Sequence, residues 1–129
     1  MTHPLAWALA LGFLSFLPSR PAPVPQDPAT KQVATERYNA AKSVWERLTG
    51  ESCDSLPDCD ARAAWSRRLA EAASESGTLS AREAFTQHLA RMQEMLATTK
   101  VLFEAGRRTA ASIAGLEYYV AEAKGLVPR

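Results

Sequence analysis

Residues 80–106, SAREAFTQHLARMQEMLATTKVLFEAG, carry the longest helical signal in the chain and decide its fold class. Ser80 and Glu83 stand in the S-x-x-E relation of a capping box, in which each side chain satisfies a free backbone N–H of the first turn. Leu79, just before the cap, is placed as a hydrophobic staple. Phe85, Leu89, Met92, Leu96, Thr99 and Phe103 then recur at steps of four and three, one face of a helix, until Gly106 supplies a left-handed stop. The expected helix is 80–105.

The same punctuation repeats outward. Upstream, DARAAWSRRLAEAASESG predicts a helix over 60–76, with Ala61, Trp65, Leu69 and Ala72 inward and Gly77 ending it. Before that, Asp27 can cap and Pro28 can open a helix over 27–49, with a stripe of Ala34, Tyr38, Ala41, Trp45 and Leu48 that stops at Gly50. Downstream, Thr109 caps a helix over 109–124 that turns Ile113, Leu116, Val120 and Ala123 inward and meets Gly125. Nothing alternates with period two over a strand's length. The connections after Gly77 and Gly106 are short, which sets neighbouring helices antiparallel. The chain is therefore expected to be all-α, an up-down antiparallel bundle of about four helices. Its coiled-coil-like stripes also permit a longer coiled coil or self-association.

At 129 residues the chain holds about one domain. Hydrophobic residues make up 47%, much of it Ala, which suits closely packed helices. Fifteen basic and fourteen acidic residues nearly cancel, and no basic stripe with interleaved aromatics stands out, so nucleic-acid binding has no electrostatic support.

The helical bundle is expected within residues 29–125. Ahead of it, residues 5–17, LAWALALGFLSFL, are too short to span a bilayer comfortably but fit the apolar region of a secretory signal covering 1–22. Two features are atypical: MTH lacks a basic residue, and cleavage after Ala22 sets Arg20 at the minus-three position. An uncleaved anchor at 5–17, a packed helix and an unstructured tail are the alternatives. The Pro-rich stretch 18–28 is an extended linker in each case. At the other end LVPR, 126–129, resembles a thrombin recognition sequence and is set aside as a protease-site scar, a natural terminus being the alternative.

The only two cysteines, Cys53 and Cys59, flank DSLPD. Structural zinc needs four ligands, and no second Cys/His pair is near. A C-x-x-C redox spacing is absent. A disulfide stapling the end of the first helix to the start of the second fits best, and it implies an oxidising compartment. The expected location is periplasmic or secreted, with membrane anchoring as the alternative.

Other constellations carry less. His88, Met92 and Met95, at i, i+4 and i+7, offer soft ligands for Cu(I) or a similar ion, although Met92 falls in the core register. Arg67 with Arg68, and Arg107 with Arg108, can clamp an anion or meet carboxylates such as Glu71 and Glu104. Trp45, Trp65, Tyr118 and Tyr119 fill the interior or, if exposed, mark an interface. Glu71 and Glu122 form a candidate acid pair without a nucleophile or metal beside them. No Gly-rich phosphate loop, nucleophile elbow or His–Asp dyad occurs, so the chain is expected to be no enzyme and to hold no cofactor.

Two stretches are weakly alike: VWER…AAWSRRLAEAA (44–73) and VLFEAG…AGLEYYVAEAK (101–124), aligning Ala70-Glu71-Ala72 with Ala121-Glu122-Ala123. The second, through Phe103, Glu104, Ala105, Gly106 and the helix to Ala123, resembles a helical hairpin unit of TolC-like outer-membrane efflux proteins. The resemblance covers about half of the folded part. It implies a free-standing hairpin unit, since the β-strands of a complete channel are missing. The pattern WSRRLAEA, HLARM, AGR and YYVAEA is also similar to small helical proteins of planctomycete-type bacteria, a likeness that carries no known activity. The expected function is an exported, non-enzymatic protein acting through helix–helix contact in the cell envelope, with a protein partner or with itself. A periplasmic metal-binding or metal-sensing module is one alternative. An accessory subunit of a membrane complex, touching the membrane only through 5–17, is the other.

Overall fold

A computed structural model describes residues 27–48, 50 and 52–129 of the chain. The signal, anchor and most of the linker expected over 1–28 lie outside the described residues. Four helices follow: α1 (Pro28–Arg47), α2 (Leu56–Glu75), α3 (Ala81–Glu104) and α4 (Ala110–Leu126). Among the described residues there is no strand, and no helix is long and apolar enough to cross a membrane.

The ends obey local chemistry. Asp27 accepts the Thr30 N–H, with Pro28 opening α1. Ser80 and Glu83 form the reciprocal capping box at α3, and Thr109 accepts from Ser112 at α4. Leu79 packs on Ala70, Ala73 and Ala84, as a staple residue should. At the end of α3, Gly106 adopts φ +72 and a Schellman pair forms, Arg107 N–H to the Leu102 carbonyl and Gly106 N–H to the Phe103 carbonyl.

Four expectations need correction. Helix α2 begins at Leu56, not Asp60, because Ser55 caps it, Pro57 occupies its first turn and Asp58 adds negative charge at its positive end. Its inner face is also rotated. Ala61 is exposed, while Cys59, Arg62, Ala63, Ser66, Ala70, Ala72 and Ala73 are buried. Gly125 does not end α4; it keeps a negative φ and the helix runs on to Leu126. In α3 the outermost stripe residue, Phe103, is exposed, and the buried face is Ala84, His88, Met92, Met95 and Thr99.

Contacts along the helices fix their directions. Arg37 meets Glu75 while Arg62 reaches the Leu48 carbonyl, so α1 and α2 run oppositely. Ser66 meets His88 while Ala73 packs with Ala84, so α2 and α3 do too. Asp60 bonds Tyr119 and Arg67 pairs with Glu122, which sets α4 parallel to α2. Helices α2, α3 and α4 enclose the main core of Cys53, Cys59, Ala63, Met92, Met95, Leu116, Val120 and Ala123. Helix α1 lies outside this trio against α2, and lays Trp45 on the core and Tyr38 on a second cluster of Ala70, Ala73 and Ala84. Small side chains on these faces let the backbones approach closely, so the packing relies on many short contacts rather than a few large residues.

Candidate functional site

Cys53 and Cys59 are joined by a disulfide, with Cα atoms 5.0 Å apart, and both are fully buried. The bridge does not span a loop between two helices, since Cys59 already sits in the first turn of α2. Around it, charged side chains tie three segments together. Asp58 accepts the Asp54 N–H at 2.8 Å and holds Arg62, which also donates to the carbonyls of Leu48 and Gly50, each at 3.1 Å. Arg108 reaches across from the α3–α4 turn to Ser52 and Asp54. Its carboxylate is thus Asp54, not the neighbouring Glu104 anticipated from sequence. Arg62 went unrecognised because a periodicity reading treats arginine as outward-facing; its long side chain instead caps the end of α1 from within. Arg62→Met leaves two carbonyls and Asp58 without this donor. It should lower stability by about 2 kcal/mol, read as a fall in the urea midpoint at unchanged slope.

The second polar cluster lies where α2 and α3 cross. Ser66 and His88 are 0% and 1% exposed, with Ser66 Oγ 2.7 Å from His88 Nδ1. Arg91 donates from Nε to Ser66 Oγ at 2.7 Å and from Nη2 to the Ser66 carbonyl at 3.0 Å. Because arginine can only donate, Ser66 Oγ accepts there and shares a second hydrogen bond with Nδ1, leaving His88 Nε2 on the far side of the ring. That Nε2 is buried without a hydrogen-bond partner. Burial first, then the charges of Arg91 and Arg67, pushes His88 down to about 4, so the ring is neutral at physiological pH. Burial alone also lowers Arg91 to about 10. A serine beside a histidine suggests a nucleophile and its base, but neither is open to a substrate, so this pair holds α2 to α3.

Met92 and Met95 share the buried face of α3 with His88. The sequence-predicted trio is therefore on one face, inside the protein. The guanidinium groups near His88 raise the cost of placing a cation beside it. Among the described residues no group of three His, Cys, Asp or Glu side chains is placed to hold a metal ion.

The aromatic candidates divide. Trp45 and Tyr119 pack against the main core, and Tyr119 donates to Asp60, which raises its hydroxyl to about 12. Trp65 is half-buried beneath the Arg68 guanidinium, 4.6 Å from its ring centre. Tyr118 is exposed and meets Tyr119 edge-on. Glu71 and Glu122 do face a common group, since both pair with Arg67, whose cation is held by them. They are consequently a salt-bridge set across α2 and α4, not an acid pair.

A small, disulfide-stapled, all-α bundle is the class these observations define. Compared with known proteins, the chain matches no family model, no curated protein and no solved structure.

Proposed function

We propose that this is an exported, non-enzymatic helical protein of the cell envelope that acts by packing a helix surface against a second copy of itself or a partner helix. The observation that carries the reading is the exposed apolar stripe along α4, with further exposed apolar side chains on α3. Val101 and Tyr118 are 66% and 64% exposed, and Phe103 is also exposed. Along α4, Ala111, Ala114, Tyr118 and Ala121 repeat at steps of three and four, all exposed. Helix α4 is thus apolar on both its inner and outer sides, which suits a helix buried on both sides. Small side chains at helical spacing let another helix come near, and an exposed tyrosine among them is the residue type that anchors interfaces. The buried disulfide fits an oxidising compartment outside the cytoplasm, which supports export and, more specifically, a periplasmic or secreted location.

Sedimentation velocity over a concentration series tests the surface. Reversible self-association should appear and should weaken in Tyr118→Glu combined with Ala114→Glu, both at exposed positions. A photo-reactive residue at 118 should cross-link in the envelope if the partner is another chain. A monomer at every concentration with no cross-link ends the proposal. Mass spectrometry of the native N-terminus tests export, with a start near Pro23 expected and an intact residue 5–17 segment pointing instead to the anchored accessory-subunit reading.

A further inference from the structure

A cleft of about 210 Å³ opens between α1, α2 and α3, with no lining residue from α4. Its floor is alanine, Ala70 and Ala73 among them, and Tyr38, Trp45, Lys42 and Arg91 stand around it. The two hydrogen bonds that Arg91 makes to Ser66 account for its position but not for its charge. No carboxylate among the described residues lies within ion-pair distance of it, and its Nη1 has no partner there, since Nε and Nη2 are spent on Ser66. Burial already disfavours its charge. A neutral donor would tie down Ser66 without that cost. Trp45 lies 5.4 Å below the guanidinium, which orients it without neutralising it.

We propose that the α1–α2–α3 cleft is a binding site for a small organic monocarboxylate with a flat apolar body. The carboxylate is received by the Arg91 guanidinium with Lys42 beside it, and the body lies against Trp45 and Tyr38 over the alanine floor. A planar fork matches a carboxylate, and apolar walls with few polar groups are the usual makeup of a small-molecule site. The volume falls below the several hundred cubic ångströms of drug-sized sites, which limits the ligand to a small one. Glu46 lines the same cleft and sits 3.8 Å from Lys42, so its charge opposes a dianion such as phosphate more strongly than a single carboxylate.

The experiment is a ¹H–¹⁵N NMR titration of the full chain with phenylacetate, with phenylacetamide and inorganic phosphate as matched controls. Phenylacetate should shift amides around residues 42–45, 70–73 and 84–91, and neither control should. Two substitutions at exposed positions spare the buried network: Lys42→Glu should weaken binding about tenfold, and Gln87→Trp, which fills the cleft mouth, should abolish it. No response to phenylacetate overturns the proposal. So does equal binding of phenylacetamide or phosphate, a response scattered outside the cleft, or binding that both variants retain.

Discussion

Acidification from pH 6.5 to about 4 should cost the protein about 3 kcal/mol through His88 alone, at 1.36 kcal/mol for each pH unit between the unfolded and folded values. In the unfolded chain the imidazole titrates near 6.5; in the native core it resists protonation down to about 4. Within that window the unfolded state binds a proton that the native state refuses. Stability is therefore full above 6.5, falls as pH drops through the window, and loses nothing more from this group below about 4. The cause lies in the packing. His88 is buried against α2, and the charges of Arg91 on its own helix and Arg67 on α2 oppose another cation. Carboxylates also contribute to acid unfolding at the lower end, so the informative quantity is a difference. His88→Gln keeps a neutral hydrogen-bonding side chain that does not titrate. Urea midpoints for the two proteins should converge as pH falls from 6.5 to 4.5, the wild type declining faster. Parallel curves would show that another group governs the acid limb.

This sensitive position could be only partly seen in the sequence, and the reason is general to the molecule. The features found were those written in strongly local chemistry: the Ser80–Glu83 box, the caps at Asp27 and Thr109, and the stops at Gly77 and Gly106 each depend on a few adjacent residues. The stripes of α1 and α4 were legible because apolar side chains mark them. Helix α2 was not, because its buried face is built from Ala, Ser, Cys and Arg, and a reading that counts large apolar residues selects the half-buried Trp65 and Leu69 instead. Tertiary hydrogen bonds decide that face, with Ser66 satisfied by His88 and Arg91 from α3 and Arg62 by the end of α1. These partners lie 14 to 25 residues away, so no local pattern announces them. The cleft shares that origin. Trp45 and Arg91 belong to different helices and meet only once α1 has docked on α2.

Removing both cysteines, as Cys53→Ala with Cys59→Ala, should lower stability by about 3 kcal/mol and the melting temperature by about 10 °C. Two contributions add. Closing so short a ring restrains the unfolded chain by about 2 kcal/mol on the chain-entropy account. The remaining 1 kcal/mol or so comes from packing, because both sulfurs are fully buried among Met92, Met95, Leu116 and Val120, and their loss leaves empty volume there. The serine pair should cost more than the alanine pair, since it places two hydroxyls in the same apolar cluster. Burial makes a further, separable prediction about redox behaviour. A thiolate must reach a sulfur in line to exchange, so dithiothreitol alone should leave the native protein oxidised, whereas the same reductant in urea should reduce it. Mass shifts after alkylation read the two cases directly. Rapid reduction without denaturant would mean that the first turn of α2 opens locally, and the alanine pair would then cost little, because the bridge would be closing a segment already free to move. Slow reduction together with a large loss in the alanine pair would place the bridge inside the same cooperative unit as α2, α3 and α4.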